Sequence, residues 1–293
     1  MPGFLSNINK FKKMYSIKSI EEDKELLSNL NKIISPFILR RKKKDVLKDL
    51  PDKIENNIIV DLDDEQKKLY MAYLEKTKEQ INNTIQKEGF LKSQILILSL
   101  LTKLRQICID PRLVIEDYKQ VGSKFLELIN MLKQIIENGH KVLLFSQFPS
   151  ALRLLIPSLN ENNIKYYYLD GSTKSKTRIE LVNKFNNDET NIFLISLKAG
   201  GTGLNLTSAD IVIHLDPWWN PQVENQATDR AHRIGQKNIV EVVKLVARGT
   251  IEEKIIELQQ KKKELSDKVI EGDNRDQIII SKLTEKDIKE LLM

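Results

Sequence analysis

At 293 residues the chain is long enough for a well-buried core and suggests one large domain or two smaller ones. Its 47 basic against 41 acidic side chains give a net charge of +6, which permits a nucleic-acid partner without demonstrating one. A single cysteine, Cys108, rules out an internal disulfide, three histidines form no cluster with metal-ligand spacing, and no apolar run approaches the roughly 20 residues that span a bilayer. With no signal-peptide pattern at the N-terminus, the expectation is an intracellular protein in a reducing compartment, with no structural metal and no membrane partner.

From Met1 to about Leu50 the chain is lysine-rich, with a helix expected from Glu21 to Ile34 and ended by Pro36. Arg40 to Lys44 is an unbroken basic run, read as a solvated face, a nuclear-localisation signal or a phosphate-contacting patch. Ile58 to Leu62 reads as a short strand, and Asp63 or Asp64 can cap a long helix reaching towards Lys87. A second helix from about Ser93 to Ile109 is apolar on most sides and is expected to lie within helical packing, with Arg105 and Cys108 as structural residues.

After Gly122 the texture changes to short aliphatic runs alternating with helical stretches, which marks a domain boundary. Strands are expected at Val142 to Phe145, Lys165 to Leu169, Ile192 to Ser196, Ile211 to Leu215 and Val240 to Val246. Near-continuous apolar runs of this kind are how buried parallel strands read. Helices are expected near Phe125 to Glu137, Ala151 to Asn162, Thr177 to Phe185 and Pro221 to Ile234, with Pro157 shortening or kinking the second. Thr250 with Glu253 makes a capping box for a helix through about Ile270 that turns Ile251, Ile255, Leu258, Leu265 and Val269 inward. A short helix near Glu285 to Leu292 closes the chain.

Ligands of open parallel sheets gather at the carboxyl ends of the strands. Here those positions hold Ser146 and Gln147, then Asp170, Gly171 and Ser172, then the stretch KAGGTGLN from Lys198, then DPWWNP from Asp216. The glycines of the third loop let backbone N–H groups approach an anion, or serve plain turn geometry. A dinucleotide fingerprint fits poorly, because its third glycine would fall on Leu206. In QATDRAHRIGQ, a continuous helix would line Gln226, Arg230 and Arg233 along one stripe, with Val223, Ala227, Ala231 and Ile234 along the next. Two guanidiniums held at the edge of a buried face would suit a transferring phosphoryl group. The other reading is a basic helix face bridged to carboxylates such as Glu224 and Asp229.

The stretches PFILRRKKKDV, KDLP, LRQIC, KVLLFSQF, YYLDGSTKSKTR, KAGGTGLNLTSAD, LDPWWNPQVENQATDRAHRIGQ and TIEEKI, in this order, resemble the SWI/SNF family of DNA-dependent ATPases within helicase superfamily two. The resemblance reaches to about Gly272. It implies an α/β fold, the second RecA-like lobe of a two-lobed motor: a helical protrusion over 1–120, the lobe over 121–249, and a brace helix and tail over 250–293. It further implies that Arg230 and Arg233 are arginine fingers, with Gln226 in the same catalytic motif, and that Gly201 and Gly203 approach the nucleotide. Ser146, Gln147, Gly171, Ser172, Lys174, Arg178 and Thr202 would hold DNA phosphates, and Trp218, Trp219 and Asn220 would couple hydrolysis to DNA movement. Paired indoles after a strand are also common packing. The family's usual Asn-His-Pro ending after LRQIC is replaced by Ile109, Asp110 and Pro111, and Pro149 stands where a small polar residue is usual.

No GxxxxGK[ST] loop exists in the chain and no Asp-Glu box follows a strand, so ATP would be shared with a separate N-terminal lobe, and Mg²⁺ would be bound by that lobe and none of it by this chain. The implied partners are that lobe and double-stranded DNA bound without sequence preference, by a monomer located in the cytoplasm or nucleoid of a bacterium or in the nucleus of a eukaryote. A lobe that serves as a non-catalytic DNA- or protein-binding scaffold is the alternative, and a strand-separating helicase is a third reading.

Overall fold

The protein is described from a computed structural model covering residues 50–200, 203–269 and 285–292, together with positions 10, 29 and 33. Apart from positions 29 and 33, the predicted helix from Glu21 to Ile34 lies outside the described residues, as do the basic run Arg40 to Lys44 and the site residues Gly201 and Thr202. The chain divides into two compact units, Met1–Lys48 with Gln260–Leu283, and Asp49–Gln259 with Thr284–Met293. The described residues of the first unit are helical. The second unit carries the sheet.

Its elements run β1 (Lys53–Val60), α1 (Asp64–Glu88), α2 (Phe90–Ile109), α3 (Ser123–Glu137), β2 (Val142–Ser146), α4 (Pro149–Glu161), β3 (Tyr166–Leu169) and α5 (Ser175–Asn187). They continue with β4 (Ile192–Ser196), the short α6 (Leu197–Gly200), β5 (Ile211–His214), α7 (Pro221–Thr228), β6 (Val240–Ala247), α8 (Ile251–Val269) and α9 (Glu285–Leu292). All six strands are parallel, in the order β1-β6-β5-β2-β4-β3. Side chains alternate across a strand, so each apolar run feeds two cores. Leu144, Leu194, Ile213 and Leu245 pack under α3 and α4 against Phe125, Leu128 and Leu152. Leu143, Phe145, Phe193 and Ile195 face the other way, against Phe185, Leu206, Ala227 and Ala231.

Four sequence expectations need correction. The first strand starts five residues before Ile58: Lys53 to Asn57 read as polar because β1 is an edge strand that pairs only with β6, leaving Ile54 to Asn57 exposed. The sheet therefore takes its edge strand from ahead of Gly122, and the α1–α2 hairpin falls in the same compact unit as the sheet. The hairpin turns at Gly89, whose φ of 78° is open to glycine at no steric cost. Second, α2 is not enclosed: Ile97, Leu101, Leu104 and Ile107 are fully buried, but Leu91 and Ile95 are 80% and 83% exposed. Third, Pro157 neither ends nor shortens α4, because it lies on the exposed face where the carbonyl left without its N–H partner can meet water.

Fourth, the box at the start of α8 differs from the expected one. Glu252 N donates to Thr250 Oγ1, and the Glu253 carboxylate accepts from Gly249 N rather than from Thr250. Ile251, Ile255 and Leu258 are buried as expected, while Leu265 and Val269 lie outside the described side chains. Asp63 does cap α1, accepting from Gln66 N at 2.8 Å. The Ile109-Asp110-Pro111 corner also has a clear role. Buried Asp110 accepts from Arg112 N, Nε and Nη2 and, at 2.8 Å, from Gly122 N, closing the loop that leads back into the lobe.

Candidate functional site

Because β2 pairs with β5, the residues leaving those two strands meet. Asp216 Oδ1 accepts from Ser146 Oγ at 2.6 Å and from Gln147 N at 3.1 Å, and Phe148 N donates to Ser146 Oγ at 3.0 Å. Ser146 is 1% exposed and its hydroxyl is spent inside the protein, so it shapes this loop instead of offering itself to an outside phosphate. Gln147 is half-buried at the same loop. The other oxygen of Asp216 forms a 2.7 Å ion pair with Arg105 Nη2, which also donates to Pro217 O at 2.9 Å. The Arg105 guanidinium stands 5.1, 4.8 and 5.2 Å from the ring centroids of Phe148, Trp218 and Trp219. Burial pushes it below the ordinary arginine range, and the Asp216 charge opposes that shift.

The loop after β3 is built on Asp170. Its Oδ1 accepts from Ser172 N and Oγ, and its Oδ2 from Tyr168 Oη and from Arg153 Nη2 at 2.6 Å. The Ser172 hydroxyl first, then Tyr168, holds this carboxyl well below the usual carboxylate range. Gly171, Ser172 and Lys174 are exposed at the start of α5, whose first turn has no side-chain cap and presents its N–H groups together with Arg178. Backbone N–H groups, a hydroxyl and two cations in one place suit phosphate oxygens. Gly203, in the third loop, is exposed with φ of 45°, a value that favours glycine.

The arginine stretch departs from the predicted helix. α7 stops at Thr228, and a series of tight turns follows: Arg230 N bonds Ala227 O, Ala231 N bonds Thr228 O and Gln236 N bonds Arg233 O. Beyond Thr228 one backbone carbonyl and two side chains of the stretch are tied to other parts of the lobe. Arg230 O accepts from Leu206 N, Gln236 Nε2 donates to Ala209 O and Ala231 O, and His232 Nε2 bonds Pro51 O. Gln226 therefore shares no helical stripe with Arg230 and Arg233, and Ile234 is 69% exposed where the helix would have buried it. Leu206, Ala209 and Pro51 all precede strands, so the arginine turn lies away from the carboxyl ends.

Arg230 is half-buried and Arg233 exposed. Burial lowers the Arg230 pKa, the positive charge of Arg233 lowers it further, and Asp229 opposes both. Glu224, the other carboxylate considered as a bridge, is spent elsewhere: it accepts from Trp218 N at 2.6 Å and Gln259 Nε2 at 3.0 Å and pairs with Lys244 at 2.6 Å. Gln259 of α8 also donates to Trp218 O. Asn220 caps α7 through Gln222 N. The indole pair, with centroids 3.6 Å apart, and the arginine turn thus stand at opposite ends of one eight-residue helix, about 12 Å long at 1.5 Å per residue.

Sequence reasoning took Arg105 as structural, Glu224 only as a bridge to the arginines and Asp216 only as a strand-end position, and it passed over Arg153. One signal was available: a lone Arg among the apolar residues of α2, and an Asp directly after an apolar strand, are charges in positions where burial forces them to find each other. Among the described residues no group of three His, Cys, Asp or Glu side chains is placed to hold a metal, and no helix is long and apolar enough to cross a membrane.

The family description Helicase conserved C-terminal domain matches residues 124–235, and SNF2-related domain matches residues 1–113. An uncharacterized ATP-dependent helicase of Mycoplasma genitalium is 42% identical, over 93% of this chain and 26% of its own length. An ISWI chromatin-remodeling complex ATPase of Saccharomyces cerevisiae is 36% identical over 92% of this chain and 25% of its own length. The chain thus spans roughly a quarter of these curated relatives. The SWI2/SNF2 ATPase core of Sulfolobus solfataricus in complex with double-stranded DNA matches at TM-score 0.65 and 35% identity, over 99% of this chain and 61% of that one. The C-terminal domain of the same ATPase matches at TM-score 0.63 and 32% identity, over 82% of this chain and 98% of that domain. A solved domain covered almost end to end at this identity, with both family descriptions in register along the sequence, means that this chain belongs to the SWI2/SNF2 family of ATPases.

Proposed function

We propose that this chain is the second RecA-like lobe of an ATP-driven translocase that moves along duplex DNA. The observation that carries the reading is the closeness of Arg230 and Arg233 in a turn tied to the loop of Leu206 and Ala209 and to Pro51. Asp229 offsets part of the repulsion between them, and a phosphate arriving beside both guanidiniums would offset more of it. The γ-phosphate of a nucleotide held on a first lobe fits that place, and Gln226, Gly201 and Gly203 would contribute to the nucleotide site. The sequence holds no GxxxxGK[ST] loop, and the reading assigns the other phosphates and Mg²⁺ to the first lobe. Arginine fingers contribute on the order of a thousandfold to phosphoryl transfer, about 4 kcal/mol of barrier.

DNA would lie across the loops after β2 and β3, with its phosphates on Gln147, Gly171, Ser172, Lys174, Arg178 and Thr202 and with Ser146 ordering the first of those loops. Such contacts grip the backbone and leave the bases unread. Trp218, Trp219 and Asn220 would pass the state of the arginine turn through α7 to those loops.

The test is duplex binding by this chain across a salt series, followed by triplex displacement and unwinding assays on the chain joined to a first lobe. Salt-sensitive binding whose slope against log salt falls by about one in Lys174→Ala, with displacement but no unwinding, is expected. Binding without any displacement would favour the scaffold reading, and unwinding would favour a helicase.

A further inference from the structure

A buried guanidinium surrounded by three aromatic rings is an expensive thing to keep. Arg105 is 1% exposed, its Nε has no hydrogen-bond partner, and an aliphatic side chain would fill the same volume without a desolvation cost. What it touches accounts for its presence. On one side it holds Asp216, whose second oxygen fixes the Ser146 hydroxyl and the Gln147 amide. On the other it lies against both indoles, immediately ahead of α7. No other described side chain bonds Asp216 while also packing on Trp218 and Trp219.

We propose that Arg105 is a positioning residue that locks the loop after β2 and the indole pair after β5 into one unit, so that duplex DNA engaged at Gln147 is felt at the amino end of α7. The inference rests on the DNA reading above. In mechanical terms, Asp216 is a shared hinge pin: its carboxylate cannot follow a shift of the Gln147 backbone without dragging the guanidinium, and the planar guanidinium cannot move without the rings stacked on it. A lysine keeps the charge and can keep the ion pair, but it has no plane to stack. Arg105 therefore does more than neutralise Asp216.

Trp218 and Trp219 are the only tryptophans, so intrinsic fluorescence reports this spot alone. The experiment follows tryptophan emission and the anisotropy of a fluorescein-labelled duplex during titration of the wild-type chain, Arg105→Lys, and the doubly neutral Arg105→Met with Asp216→Asn. The double variant leaves no unpaired buried charge and keeps an oxygen for Ser146 and Gln147, so it guards against a failure of Arg105→Lys to fold. Amide exchange at Gln147 is measured in the same proteins without DNA.

Both variants are expected to bind the duplex within about twofold of wild type, to lose the emission change that DNA causes in the wild type, and to exchange the Gln147 amide about tenfold faster. A wild-type emission response in a variant that folds and binds would overturn the proposal. If the wild type itself does not bind duplex, the DNA reading fails, and the exchange arm still decides the rest: unchanged Gln147 protection in the folded variants overturns the positioning role, and faster exchange supports it.

Discussion

His214 offers a prediction that can be worked through from its surroundings. It sits in β5, 1% exposed, stacked on Phe145 with ring centroids 5.6 Å apart and with Nε2 3.1 Å from Thr228 Oγ1 at the end of α7. Its Nδ1 is buried without a hydrogen-bond partner. Burial first of all lowers its pKa from 6.5 to about 4, with the charges of Lys244 and Lys53 adding to the effect and Glu224 and Glu55 opposing it. The unfolded chain takes up a proton near pH 6.5 and the folded chain only near pH 4. Stability from the neutral imidazole is therefore intact above about pH 6.5 and is lost as the pH falls towards 4. Linkage gives a loss of about 2 kcal/mol between pH 7.5 and pH 5, rising to about 3 kcal/mol at lower pH. Asp170 and Asp188, whose pKa values are lowered, lose their contributions below this window. Urea unfolding at the two pH values, in wild type and in His214→Gln, isolates the effect as the difference between the two slopes. Equal pH dependence in the two proteins would refute the burial argument.

The buried pair of Lys124 and Glu252, both 0% exposed and joined at 2.8 and 2.9 Å, ties the start of α3 to the start of α8. Lys124→Met alone strands a buried carboxylate and should cost about 3–5 kcal/mol, whereas adding Glu252→Gln should recover most of it; urea midpoints of the two variants check this. At Gly122 a methyl group would meet Ile109 O at 2.7 Å and Asp110 Cα at 2.8 Å, both backbone atoms, so Gly122→Ala should lower stability by about 1–3 kcal/mol and depress the melting temperature.

Much of the lobe was legible in the sequence because buried parallel strands announce themselves as apolar runs, and five of the six were read within about a residue or two of their ends. The first half of β1 was not, because an edge strand needs only backbone pairing and its side chains carry no apolar signal. The register of the arginine stretch was misread for a different reason. A 3.6-residue pattern fits 221–234, but Leu206, Ala209 and Pro51 compete for the backbone and side-chain groups that would otherwise extend α7, and those competitors are distant in sequence. The exposed face of α2 was misread because an apolar helix carries no mark of which side meets the lobe.

The candidate site divides in the same way. Gly171, Ser172, Lys174 and Arg178 follow β3 and open α5, so chain order alone brings them together. Ser146, Asp216 and Arg105 meet only through the pairing of β2 with β5 and the bond that Arg105 of α2 makes to Asp216, a contact across 111 residues that no local pattern encodes.

The measurement that bears most directly on the second-lobe reading is ATP hydrolysis, with and without duplex DNA, by this chain joined to a first lobe, and by the same protein carrying Arg230→Ala or Arg233→Ala. DNA-stimulated turnover that falls on the order of a thousandfold in each variant is the expected result. Turnover unchanged by either substitution, or robust turnover by this chain without a first lobe, would contradict it.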